Sequence, residues 1–108
     1  MTMSTKIIVH KNRTNIVRVR LGIDISGDDF TSEIRSDTNH TSLLIATWSV
    51  AFTTDGVDGE LTLTLDDAAT ADISVDSGFM DLKRVSGGEP FAVFDKPLGV
   101  SFQGTVTA

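Results

Sequence analysis

Apolar and polar residues alternate along much of this chain. In Val17-Arg18-Val19-Arg20-Leu21-Gly22-Ile23-Asp24-Ile25 every second residue is apolar, and Leu61-Thr62-Leu63-Thr64-Leu65 repeats the pattern. An extended backbone sends successive side chains to opposite faces, so this period predicts strands with one packed face and one wet face. Residues 6–10 predict a short apolar strand and 11–15 a polar turn. Residues 16–25 predict the best alternating strand, with Val17, Val19, Leu21, Ile23 and Ile25 on its core face. Ser26-Gly27-Asp28-Asp29 is turn chemistry, and 30–35 reads as a strand with Phe30 and Ile34 on one side.

The run 43–53 is the longest buried candidate. Leu44, Ala46, Trp48, Val50 and Phe52 share one face, and Leu43, Ile45 and Ala51 the other. A strand apolar on both faces is expected at the centre of a sheet, and Trp48 is expected in the core rather than at a binding surface. Two Asp-Gly pairs, Asp55-Gly56 and Asp58-Gly59, predict a hairpin loop before a partner strand at 60–65. Asp66 and Asp67 open the one stretch with helical character, a single short turn at 66–71. Further strands are expected at 72–75, 79–85, 91–94 and 98–102, with a Gly87-Gly88 turn, an edge strand or bulge at Pro97, and a close through Gly104-Thr105-Val106-Thr107. Seven to nine short strands, punctuated every eight to twelve residues, predict one antiparallel β-sandwich of immunoglobulin-like or jelly-roll-like type over residues 6–108, behind a flexible N-terminal arm at 1–5.

The chain has 108 residues, 40% of them hydrophobic, which is enough for one core and too apolar for general disorder. No apolar run approaches the roughly 18 residues of a membrane helix, and the first residues lack a secretion signal, so no membrane partner is expected. The net charge is −6 but unevenly placed. Lys6, Lys11, Arg13, Arg18 and Arg20 precede any acid, whereas residues 21–82 hold thirteen acids and one base, Arg35. Two readings follow: a basic surface that docks onto an acidic neighbour, or a basic strand paired inside its own acidic sheet. Nucleic acid is a poor partner, because the total is acidic and no aromatic is interleaved with the cations.

Reactive chemistry is sparse. There is no cysteine, and His10 and His40 lie thirty residues apart without a partner at metal spacing. Asp28-Asp29, Asp66-Asp67 and the Asp55/Asp58 pair sit in turns where both partners are solvated alike, unlike the split environments of catalytic acids. The run from Asp55 to Glu60 lacks the ligand spacing of a calcium loop. No enzyme, metal or cofactor is expected.

The second half carries a resemblance. Leu61-Thr62-Leu63-Thr64-Leu65, an acidic-alanine turn through Thr70, Gly78-Phe79-Met80-Asp81-Leu82, the Gly-Gly hairpin, Leu98-Gly99-Val100 and Thr105-Val106-Thr107 together resemble the small β-sandwich module of tailed-bacteriophage virion proteins. The module is similar to the N-terminal domain of phage baseplate upper proteins, and Gly27-Asp28 and Glu33-Ile34-Arg35 fit its turn and extended segment. Met80 stands where such modules often carry an aromatic. The resemblance implies a non-enzymatic structural protein of the virion, made in the bacterial cytoplasm. It would bind capsid, neck or tail components, either as a connector seating a fibre or baseplate part or as a capsid decoration (cement) protein. A homo-oligomer, a trimer or one with the symmetry of its host ring, is expected, with Lys6, Lys11, Arg13, Arg18 and Arg20 as the docking surface. A carbohydrate- or ligand-binding sandwich is the alternative, and it would need an exposed aromatic platform.

Overall fold

In a computed structural model that describes residues 6–94 and 96–104, these form nine strands and one short helix. In chain order they are β1 (Lys6–His10), β2 (Asn15–Arg20), β3 (Asp29–Arg35), β4 (Leu44–Phe52), β5 (Glu60–Leu65), α1 (Asp67–Ala71), β6 (Ser77–Met80), β7 (Lys83–Ser86), β8 (Glu89–Ala92) and β9 (Leu98–Gln103). The protein is all-β, as the alternation predicts. The arm expected at 1–5 and the closing Thr105-Val106-Thr107 lie outside the described residues.

Hydrogen bonding runs β1-β9-β6-β3-β4-β5-β2, one nearly closed, barrel-like sheet. Its pairs are antiparallel except β1 with β9, where Lys6 lies beside Gly99 and His10 beside Gln103. Two strands change partners along their length. The first residues of β3 pair with β7, and its later ones with β4 and β6. The first half of β4 pairs with β3, and its second half with β5. β8 then extends the sheet beyond β7.

The core is built from alternate residues of these strands. Val9 comes from β1, Ile34 from β3, Trp48 from β4, Leu61, Leu63 and Leu65 from β5, Met80 from β6, and Val100 and Phe102 from β9. Ile25 and Leu82 reach in from connecting segments. Burying each such side chain contributes about 1.5–3 kcal/mol. Asp66 caps α1 by accepting from the Ala69 backbone N–H, so the acid-led turn forms where its sequence predicts.

Asn15 ties the two ends of the sheet together. Its side-chain oxygen accepts from the His10 N–H at 2.8 Å, and its amide donates to the His10 carbonyl at 2.9 Å. One side chain thus imitates the backbone pairing that β1 and β2 do not make with each other. Thr70 of α1 is fully buried against this arch and donates to the Arg13 carbonyl.

Several boundaries differ from the sequence expectations, each for a local reason. The strand expected over 16–25 stops at Arg20, because Gly22 adopts φ +77 and turns the chain. Ile25 still reaches the core, but Ile23 is left 48% exposed. The segment stays attached to the 54–59 loop through Leu21 N–H to Gly59 O and Ile25 N–H to Gly56 O. In β4, Ile34 pairs with Ala46 but Arg35 with Leu44, so Ile45 is an extra, bulged residue. The bulge reverses the expected faces: Ile45 packs on the core over Gly78, and Leu44 is exposed. The strand expected over 79–85 breaks at Asp81 and Leu82, whose backbone leaves the ladder to accept from Ser32 Oγ and the Val93 N–H. Residues 72–75 form no strand, although Ile73 and Val75 pack on the core. β8 begins at Glu89, earlier than the expected 91–94, because Gly87 and Gly88 both take positive φ and close a two-residue hairpin.

Candidate interaction surface

The five cations occupy both edges of the sheet and the arch between them. Lys6 is exposed on β1, Lys11 and Arg13 lie in the turn, and Arg18 and Arg20 are exposed on β2. Lys11 is half-buried and its backbone N–H bonds the Gln103 carbonyl. Arg13 donates to the Asn12 carbonyl. Arg20 forms an exposed ion pair with Glu60 of β5, so the expectation of pairing within the sheet holds there. Arg18 lies opposite Thr62 instead. The five residues therefore form no single strip; Arg18 and Arg20 alone share one strand face.

The register of β2 fixes what its backbone offers. The Leu21 N–H bonds Gly59 O, and one step along the ladder Arg20 lies opposite Glu60. In an antiparallel ladder, residues alternate between bonded and non-bonded pairs. Val17 and Val19 therefore bond to β5, while the N–H and C=O groups of Ile16, Arg18 and Arg20 point off the sheet. Among the described residues β2 has no other strand partner. The side chains of these same three residues lie on the outer face, and Ile16 is 57% exposed.

Beside this edge lies a groove of about 540 Å³. Val19, Arg20, Leu21 and Ile23 form one wall; Arg84, Phe91, Val93 and Phe94 belong to the other. Arg84 braces its floor, giving its Nε to Asp28 Oδ2 at 2.6 Å and lying 5.8 Å from the centroid of the Phe91 ring. The sequence did not point to this groove. Residues 21–25 and 91–94 both read as packed strands, and Gly22 was the one signal that the first of them turns away.

A second groove, about 470 Å³, opens where β3 and β4 part company, lined by Phe30, Val50, Phe52 and Leu61 with Asp28 and Asp29 at its rim. A polar cleft of about 60 Å³ lies between Glu33, Arg35, Asp37 and His40, where Arg35 pairs with Glu33 and donates to the Ser42 carbonyl. No group of three or more metal-ligating side chains gathers among the described residues.

Of the carboxylates expected in turns, Asp55 and Asp58 hold their loop together, Asp66 caps α1, which Asp67 opens, and Asp29 instead begins β3 opposite Val85. Asp55 accepts from the Val57 N–H, and Asp58 from the Glu60 N–H and the Thr54 hydroxyl. The Thr54 hydroxyl, with the Glu60 N–H, holds the Asp58 carboxyl below the usual range. The Ser26 backbone N–H and hydroxyl do the same for Asp24. For Asp28 the Ser86 hydroxyl is the larger cause and Arg84 the next. Each is a hydrogen bond to the charged form, which favours ionisation. Trp48, only 3% exposed, is a core residue as expected, and its Nε1 is the one buried side-chain polar atom without a partner among the described residues.

No helix among the described residues is long and apolar enough to cross a membrane. The chain matches no family model, and comparison with curated proteins finds no relative.

Proposed function

We propose that this protein is a non-enzymatic structural subunit that works by binding other proteins, and that its setting is the virion of a tailed bacteriophage, as a connector in neck, tail or baseplate or as a capsid decoration protein. The observation that carries this reading is the cationic edge of β2, unpaired among the described residues, whose Ile16, Arg18 and Arg20 backbone groups and side chains face outward beside a groove walled by apolar side chains together with Arg20 and Arg84. Sheet edges of this kind are templates for another chain, and folds that do not use them blunt them. The virion setting rests on the resemblance of the strand and turn sequences. We further read the shell as a sandwich, with β1, β9, β6 and β3 facing the second half of β4, β5 and β2 across the shared core. Binding by area requires roughly 1,200–2,000 Å² of buried surface, which a symmetric oligomer multiplies.

Quantitative mass spectrometry of purified virions tests the proposal. A ratio near one copy per one or a few capsid subunits supports decoration. A low count in multiples of three or six supports a connector. Finding no copies overturns the virion setting.

A further inference from the structure

We infer that the edge of β2 accepts an extended segment of a partner chain as an added antiparallel strand, and that this segment alternates acidic residues on its outer face with apolar residues on its inner face. The inference deepens the protein-binding reading and rests on it, but it is tested on the isolated chain.

The backbone supplies the first argument. Ile16, Arg18 and Arg20 present N–H and C=O groups away from β5, over five residues or about 17 Å of strand. The opposite wall of the groove cannot compete for the same segment equally. Gly87 and Gly88 close a two-residue turn, so Ser86 and Glu89 form a bonded pair, and Arg84 with Phe91 the next. Pro90 and Ala92 therefore face away from β7, and Pro90 has no N–H to give. An added strand hydrogen-bonds to β2 and merely packs against β8.

Side chains supply the rest. Residues of the added strand directly opposite Arg18 and Arg20 share their outer face, where acids meet two exposed cations. Arg18 has no ion-pair partner among the described residues, and the Arg20 side chain, though paired with Glu60, is 73% exposed. The intervening residues point into the groove, against Val19, Leu21, Phe91 and Val93. A second copy of this chain does not fit that description. Among the described residues its own terminal strands are β1, which carries Lys6 and His10, β8, blunted by Pro90, and β2 itself, which would set Arg18 and Arg20 against like charges, while most of its acids sit in turns. The occupant is therefore a different chain with acidic-apolar alternation.

The test uses a fluorescein-labelled peptide, Thr-Val-Glu-Val-Glu-Val-Thr, and fluorescence anisotropy with the full chain. Its Lys-for-Glu counterpart is expected to bind at least tenfold more weakly. Arg18→Glu with Arg20→Glu is expected to invert that preference, a gain of binding that a misfolded variant cannot show. N-methylation of the two Glu residues removes the N–H groups facing β2 and is expected to cost at least tenfold. N-methylation of the Val residues, whose N–H groups face β8, is expected to change binding less than twofold. Loss with the Val-methylated peptide alone means a parallel strand and overturns the antiparallel assignment. Equal binding of all four peptides, equal loss with both methylated ones, or no binding of the acidic peptide overturns the inference. None of these outcomes alters a copy number measured in virions, so the two proposals fail separately.

Discussion

Gly59 shows how much one residue decides here. It sits at φ +76, and a Cβ placed on it would lie 2.5 Å from the Ile23 carbonyl oxygen and 2.8 Å from the Gly22 nitrogen. Gly22 has a similar φ but open space around it. Gly22→Ala should therefore cost only the left-handed backbone penalty of about 1–2 kcal/mol, whereas Gly59→Ala should cost clearly more, because backbone on the neighbouring loop has to move. Denaturant unfolding of the two variants checks the order. The titrating residues give a second expectation. Asp24, Asp28 and Asp58 hold their protons more weakly when folded. Their stabilisation is therefore complete above the unfolded carboxylate pKa of about 4 and disappears as pH falls through the lower folded values. Melting temperature should be flat from pH 7 to about 5 and fall below 4, and Asp28→Asn should lower the plateau and shallow the fall. At this scale the sequence was legible wherever a residue type has one dominant use: Asp-Gly as turn, Trp48 as core, Asp66 as cap. The contact between Gly59 and Ile23 was not, since it joins two loops through space.

Elements were legible when a turn and an alternating strand agreed. The β4–β5 hairpin and the three core leucines of β5 emerged from Asp-Gly and Leu-Thr patterns alone. Alternation failed at bulges and partner changes, which leave no mark on it. Ile45 sits in a run that looks regular, and residues 79–85 look continuous although β6 and β7 join different neighbours. The Gly87-Gly88 turn offers a stabilising change. Gly87 has φ 58 and no atom near its Cβ position. Asn tolerates that conformation and restricts the unfolded chain, so Gly87→Asn should stabilise by roughly 0.4–1 kcal/mol, read by thermal melting. Asn15 offers the opposite. Asn15→Ala removes the bonds to both backbone groups of His10 and to the Arg13 carbonyl, and should destabilise by about 2–4 kcal/mol.

Over the whole molecule, the segregation of charge was plain in the sequence, but its three-dimensional meaning was not. The five early cations are divided among β1, the turn after it and β2, and only the fold shows that Arg20 lines an open groove with Arg18 on the same strand face. For the virion role proposed above, charge reversal at these two positions is expected to abolish incorporation while changing stability little, since exposed pairs such as Arg20 with Glu60 contribute at most about 1 kcal/mol. Normal incorporation of a folded variant would sink the docking role. The pairing of β1 with β9 also governs how this molecule is made. Among the described residues, the first of the nine strands has the last as its only strand partner. On a ribosome adding roughly 5–20 residues per second, β1 waits several seconds with both edges bare, and the shell closes only after synthesis of β9. Completion of the shell is thus limited by the slow loop closure of distant pairings. Nascent chains stalled before Leu98 should remain open to protease at β1, however complete the β4–β5 hairpin already is.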